Sequence, residues 1–579
     1  MAMKNKRLIG WLVGFLVLIG AITGAGLMIL MDTGPVISSP QSSWLVVKIQ
    51  PGMSDAPGDE GFAMDPGSIP PLSTELSSAI RHAATDSKVS KILLKINGLG
   101  VGWAQTTDIR NALRTFRDSG KSCTAWADGY DTKTYYLASA CDTVAMSPEG
   151  ITLVTGMNVT NTYYSETLSM LGVSANFEHV GDFKSAVEPY ERSGPSEAAA
   201  TATNELLDSL YGAIVSGIGQ GRGLDDESVR ILIDEPPLTA LAALDRGLID
   251  SRIYEIEMLD TVIGDEPTVA MGDYIESLRT SWRTDGNVTV LYADGPIILG
   301  SGGVGLFGDN VIGSVSTSRD IKKLAEDDSV DAVVLRVNSP GGSGQASDDI
   351  WQAINILKEA KPVVVSMGDY AASGGYYISM NADRIFAETT TVTGSIGVFG
   401  GKMNLAGLLA KAGMSQFEFS RGARSDLLST MEDFDPEDQA LFRSFLEHFY
   451  EVFITKAADG RGMTKEAVHA VAQGRVWTGS QALEHGLVDE LGSLDDAIAA
   501  AAELAAIGEN YGIDRLPKRK DFFEQLVEEL GGTGPEEARL SAAAVPRSLR
   551  RPLQTLLLLD RIVADGGVAA MMPGLLEVH

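Results

Sequence analysis

The chain carries one pattern twice. Leu94–Gly102 (LKINGLGVG) overlays Leu335–Ser343 (LRVNSPGGS), and the same register carries Tyr135-Tyr136 onto Tyr376-Tyr377 without a gap, because Asn97 to Tyr135 and Asn338 to Tyr376 both span 38 residues. Further along, the GRG of Gly221–Gly223 matches that of Gly460–Gly462, and RGLID (Arg246–Asp250) matches HGLVD (His485–Asp489). A period this long is not a solenoid unit and marks two tandem copies of one domain. A chain of 579 residues has room for two such cores.

Each copy alternates strands with helices. In the second, DAVVLRVN (Asp331–Asn338) is an apolar, β-branched run of the kind buried on both faces. ASDDIWQAINILKEA follows with helical apolar spacing, then the buried strand KPVVVSMGD, the helix GGYYISMNA and the strand DRIFAE. This alternation predicts an α/β fold: two domains with parallel sheets and right-handed βαβ crossovers. Their strands begin at Ser43 (SWLVVKI) and Asn287 (NVTVLYADG), which bounds the first repeat at 43–263, a polar connector at 264–286, the second repeat at 287–512 and a tail at 513–579. The tail holds an amphipathic stretch (Phe522–Leu530), a basic patch and an apolar run (Leu553–Leu559); the default expectation is packing on a neighbouring subunit, with contact at a membrane surface as the alternative.

At the other end, Lys4, Lys6 and Arg7 form a short basic stub (1–7) before an uncharged apolar run, Leu8–Met31. That run is long enough to span a hydrocarbon core of about 30 Å as a helix, and longer than the about 7–15 apolar residues of a cleaved signal peptide. The expectation is an N-terminal transmembrane anchor with its amino end in the cytoplasm, and a linker (32–42) leading to the two repeats on the extracytoplasmic side.

The formal net charge of -31 argues against nucleic acid, whose phosphates require Lys and Arg, and reads as a solvated, self-repelling surface. Cys123 and Cys141 are read as buried small residues rather than a bonded pair. No HExxH or CxxC occurs, so neither a metal nor a cofactor is expected. The GxGxxG at Gly300–Gly305 follows a strand but opens no helix, which removes the dinucleotide context; it reads as a loop near the substrate groove.

The site is read from what each copy keeps. In MGDYAASGGYYIS, Ser373 lies where a buried strand hands over to a helix, and Gly374 and Gly375 allow a substrate backbone close approach. NSPGGS ends the preceding strand, and Gly341, Gly342 and Gly374 carry N–H groups that can converge as an oxyanion hole, worth about 3–4 kcal/mol per donor. The serine needs a base. No histidine follows usefully, the GxSxG elbow is absent because Ala371 stands at its first glycine, and Arg424 of FSRGARSDLL stays protonated. The matching place in the first repeat, EHVGDFKSAVEPY, supplies Lys184. In that repeat Thr132 stands where Ser373 does, and Gly98-Leu99-Gly100-Val101 replaces Ser339-Pro340-Gly341-Gly342. One copy thus keeps a base and the other a nucleophile with oxyanion donors. Lys184 must lose its proton to act, which burial at a domain junction would bring about.

NSPGGS, GDYAASGGYYIS, TVTGSIGVFG and GDFKSAVEPYERS together resemble the signal peptide peptidase A family in its long, two-repeat form: membrane-anchored serine peptidases of the ClpP/crotonase-like superfold. The resemblance covers roughly Ser43–Ala501. It implies Ser373 as nucleophile, Lys184 as general base, Ser395 as the residue that holds the lysine amine, and Gly342 and Gly374 as oxyanion donors. It further implies a homo-oligomer, commonly a tetramer, that hydrolyses signal-peptide remnants and other short or unfolded apolar peptides at the outer face of the cytoplasmic membrane. Gly344-Gln345 after PGGS departs from the family pattern. Two other classes fit the same fold: a crotonase-like acyl-CoA enzyme, whose oxyanion loops would hold a thioester enolate, and an inactive peptide-binding scaffold.

Overall fold

The structure is a computed structural model that describes residues 43–57, 70–235, 237–279, 285–304, 310–517, 557–558, 561 and 568–572. The expected anchor at 8–31 and the amphipathic stretch at 522–530 lie outside the described residues.

The first repeat is built on β1 (Ser43–Ile49), α1 (Ser73–Thr85), β2 (Val89–Ile96), α2 (Trp103–Asp118), β3 (Ser122–Ala127), α3 (Thr132–Ala138) and β4 (Thr143–Met146). It continues through β5 (Ser174–Val180), α4 (Glu197–Arg222), β6 (Ser251–Arg252) and β7 (Thr268–Ala270). The sheet runs β7-β1-β2-β3-β4-β6, and all of these pairings are parallel. Ile92, Leu94, Cys123, Ala125 and Val144 are fully buried in its core, as β-branched and apolar runs covered on both faces should be.

The second repeat follows the same plan: β8 (Asn287–Asp294), β9 (Ala332–Ser339), β10 (Gly341–Ser343), α5 (Gly344–Ala360), β11 (Val363–Ala372) and α6 (Gly374–Tyr377). After these come β12 (Arg384–Ala387), β13 (Val392–Gly394), β14 (Val398–Asn404), α7 (Pro436–Arg461), β15 (Val476–Thr478) and β16 (Gly512–Leu516). Its sheet runs β15-β13-β11-β9-β8-β16, parallel except where β15 meets β13.

The internal repeat survives in the hydrogen bonding. Tyr135 donates its hydroxyl to the Leu248 carbonyl at 2.7 Å, and Tyr376 to that of Leu487 at 3.0 Å. Arg222 pairs with Asp250, and Arg461 with Asp489. Each GRG closes a long helix with its second glycine left-handed, Gly223 at φ 67° and Gly462 at φ 62°. Both copies also end in an edge strand. The stretch 264–286, read as a connector, contains β7, which pairs with β1, and β16 pairs with the equivalent β8.

Two features depart from the sequence reading. Cys123 and Cys141 are buried as expected, but they are bonded to each other as a disulfide. The turn after α3 returns the chain to β3, so that residues 18 apart in sequence have Cα atoms 4.7 Å apart, within disulfide range. The tail also returns to its own chain: β17 (Val568–Met571) lies antiparallel between β10 and β14, inside the second repeat.

The repeats meet through shared hydrogen bonds. β5 of the first repeat pairs antiparallel with β14 of the second along seven residue pairs, from Ser174↔Asn404 to Val180↔Val398. Elsewhere Asp55 and Arg336, both buried, form a bidentate pair at 2.8 and 2.9 Å across the junction. The Asp369 carboxylate accepts from the Ala104 amide at 2.8 Å at the start of α2. A Cβ on Gly102 would stand 2.0 Å from that carboxylate, so a larger residue there would displace Asp369. Burial, together with the nearby Asp55, raises the Asp369 pKa to about 6.

Candidate active site

Ser373 follows the last residue of β11 and precedes the single turn α6. Its backbone is at φ 55°, ψ −110°, a strained region for a residue with a side chain. The Ser373 amide is tied to the Gly394 carbonyl at 2.8 Å, and Tyr377 N–H closes onto the Ser373 carbonyl at 2.8 Å. This sharp strand-to-helix turn holds the hydroxyl at the carboxyl end of a parallel sheet, where open α/β sheets bind ligands.

Lys184 arrives from the other repeat. Pairing of β5 with β14 fixes the strand, and the chain then turns at Gly181, which has φ 112°. Phe183 N–H donates to the Gln473 carbonyl at 2.8 Å, seating the loop against the second repeat. The Lys184 Nζ lies 2.8 Å from Ser373 Oγ, 2.9 Å from the Ser395 carbonyl oxygen and 3.0 Å from Ser395 Oγ. The structure therefore brings the three side chains together, and it adds the Ser395 carbonyl, which the sequence did not suggest. Ser395 is itself left-handed, at φ 51°, with its amide bound to the Arg475 carbonyl at 2.7 Å.

Lys184 is buried, and burial lowers its pKa well below the ordinary lysine value; among the described residues no carboxylate opposes the shift. A neutral amine has two N–H donors and one lone pair. Three neighbours use all of them when the N–H groups face the two Ser395 oxygens and the lone pair receives the Ser373 hydroxyl proton. That arrangement is what a general base requires before attack.

The oxyanion candidates line the same recess. Gly341 is at φ 97°, and a Cβ there would stand 2.1 Å from the Ala570 carbonyl oxygen and 2.7 Å from the Gly374 amide nitrogen. A Cβ on Gly342 would meet the Ile297 carbonyl oxygen at 2.0 Å, and one on Gly374 would meet Ser347 Oγ at 2.6 Å. Gly341 and Gly342, which face backbone atoms, are thus sterically required, and Gly342 is registered opposite Ala570 of β17. Gly344, noted as a departure, opens α5 beneath the Phe449 ring, which a Cβ would meet at 2.7 Å.

The equivalent positions in the other copy serve structure. Thr132 Oγ1 donates to the Gly156 carbonyl and accepts from Thr155 N–H, both at 3.1 Å. Arg424 is bound at the surface by Glu437 and Asp438. The residue that sequence reasoning missed is Gly474, at φ 81°. A Cβ there would lie 2.6 Å from the N, Cα and Cβ of Lys184, so the base can approach only a glycine. It stands in AQGRV (Ala472–Val476) as one isolated glycine among many, with nothing to mark its neighbour.

Comparison with known proteins agrees with this architecture. The family model for peptidase family S49 matches residues 115–263 and 355–508, one segment in each repeat. The chain is 32% identical to the chloroplastic serine protease SPPA of Arabidopsis thaliana over 519 residues, covering 87% of this chain and 74% of that protein. It is 35% identical to protease 4 of Salmonella typhi over 476 residues, covering 79% and 76%. Among solved structures, a point mutant of ClpP1 from Listeria monocytogenes aligns over 36% of this chain and 94% of its own at 18% identity, with a TM-score of 0.23 that by itself carries no weight. The chain belongs to peptidase family S49 and is a serine endopeptidase of that family.

Proposed function

We propose that the peptidase works through a Ser–Lys dyad split between the repeats. Ser373 Oγ attacks a peptide carbonyl while Lys184 takes its proton, and the amine then passes that proton to the leaving nitrogen. Water activated by the same amine hydrolyses the resulting ester. The oxyanion would be held by the amides of Gly342 and Gly374. The observation that carries this reading is the 2.8 Å approach of a buried lysine amine, its pKa depressed by burial, to a serine hydroxyl from the other repeat.

The substrates proposed are signal-peptide remnants and other short or unfolded apolar peptides. The recess lies between two strands, β10 and β14, and admits a chain in extended form. Its wall includes Phe177, Val187, Tyr190 and Phe399. The domains would sit on the outer face of the cytoplasmic membrane behind the anchor read at 8–31; a disulfide at Cys123–Cys141 suits an oxidising compartment. Assembly as a homo-oligomer, a tetramer by family resemblance, would cover Phe417 and Phe419, which are 82% and 91% exposed.

The test is covalent capture. A fluorophosphonate should label the wild-type chain once, at Ser373, and neither Ser373→Ala nor Lys184→Ala should hydrolyse casein or short apolar peptides. Near-normal turnover by either variant removes the dyad.

A further inference from the structure

Ser373 is fully buried, so a peptide cannot reach it unless something leaves. Part of what covers the recess is the chain's own end. β17 pairs with β10 in the register Gly341↔Met571, Gly342↔Ala570, Ser343↔Ala569, and with β14 as Phe399↔Ala569 and Gly400↔Val568. The ladder continues past the strand, with Met572 N–H donating to the Pro340 carbonyl at 2.8 Å. The segment therefore occupies the groove as an added strand, satisfying backbone groups of both walls.

Its side chains alternate as an extended peptide's must. Ala569 and Met571 pack with Phe177, Val187, Tyr190 and Phe399, while Met572 packs with Leu206, Leu210, Ala372, Val392 and Val476 beside the nucleophile. Ala570, fully buried, is registered opposite Gly342, and its carbonyl oxygen lies beside Gly341 and Gly374, 2.1 and 3.1 Å from where their Cβ atoms would stand. That is the position at which a substrate would present the carbonyl to be attacked.

We propose that Val568–Met572 is a substrate-mimicking strand that closes the peptide groove in cis. It displays the groove's preference: a small side chain on the residue whose carbonyl enters the oxyanion cradle. The register of the mimicry, though not the occupancy itself, rests on Ser373 being the nucleophile.

The test uses the full chain. Ala570→Arg cannot be accommodated in a fully buried position and should release the strand. The KM for a short apolar peptide should fall at least fivefold with kcat little changed, and a synthetic GGVAAMMP peptide added in trans should inhibit. A direct arm needs no catalysis: fluorescein-labelled GGVAAMMP should bind the Ser373→Ala/Ala570→Arg chain and not the Ser373→Ala chain. Should Ala570→Arg fail to fold, hydrogen exchange on the Ser373→Ala chain reads the same contact, with slow exchange expected at the Ala570 and Met572 amides. Equal peptide binding by both chains, or exchange of those amides at unstructured rates, overturns the proposal. Near-normal hydrolysis by Ser373→Ala, or fluorophosphonate labelling of the wild-type chain elsewhere than Ser373, with the binding difference intact would instead overturn the dyad and leave the occupied groove standing.

Discussion

Replacing Lys184 with methionine separates the base from the packing it takes part in. Methionine fills a similar unbranched volume but supplies neither lone pair nor N–H groups. Loss of a positioned general base typically lowers turnover by about 10²–10⁴-fold, or roughly 3–5 kcal/mol in the barrier. Stability should move the other way. Holding the amine neutral below the ordinary lysine range costs folding free energy, because burial depresses the folded pKa. Orphaning the Ser395 carbonyl and hydroxyl sets a penalty of about 1–3 kcal/mol against that gain. The Met variant should therefore unfold at an equal or higher urea concentration than wild type while losing hydrolysis at least about 100-fold. The pH dependence follows in sign. The folded state binds fewer protons at Lys184 than the unfolded state, because the folded pKa is depressed. The penalty is present below the ordinary lysine range and disappears as pH rises through it, so the two chains should converge in stability toward pH 10–11. By the same shift, wild-type kcat/KM should rise with pH as the buried amine deprotonates. Peptide hydrolysis and urea melts followed by intrinsic fluorescence at several pH values check both halves. A Met variant that hydrolyses peptide within about tenfold of wild type, or that unfolds clearly earlier at pH 7, would refute the argument that a neutral, buried amine drives the reaction.

Ser395→Ala removes one of two acceptors for the ammonium that forms during attack; hydrogen bonds to charged groups contribute about 1.5–3 kcal/mol, so kcat should fall about 10–150-fold with KM little changed. The acid limb of its pH profile should also move to lower pH, because the protonated amine is less well held. Gly474→Ala places a Cβ against the Lys184 backbone at a left-handed position, and a displacement of about 1 Å can cost 10²-fold in rate; unaltered kinetics would show that the loop yields freely. Arg336→Met leaves Asp55 buried without a counter-charge, held only by the Ser73 hydroxyl among the described residues, and should destabilise the chain by about 3–5 kcal/mol, most of it recovered in Arg336→Met/Asp55→Leu; a double variant no better than the single would mean that Asp55 is not the group left stranded.

The placement of the strands was legible because parallel sheets buried on both faces require apolar runs that few other structures need, as in Ala332–Ser339 and Val363–Ala372. The asymmetry between Ser373 and Thr132, and between Lys184 and Arg424, could also be read, because a repeat supplies its own alignment. The disulfide could not. Cys123 and Cys141 carry no spacing signal, and only the turn after α3 brings them together. Gly474 escaped for the same reason, since what makes it necessary is a lysine 290 residues earlier in the chain.

From composition and order alone, this polypeptide determines which groups are available: a serine at a strand end, glycines that bare their amides, a lysine where the sister copy has an arginine. Tertiary structure decides whether they meet and in what ionisation state. Proton affinity and reach depend on burial and on distances of a few tenths of an ångström, and these are set by the β5–β14 ladder, which joins segments more than 200 residues apart. The tail is the sharpest case, because a strand's partner is chosen by unpaired backbone amides and carbonyls, which every residue but proline carries alike. Nothing in Val-Ala-Ala-Met-Met names the groove that β10 and β14 leave open for it.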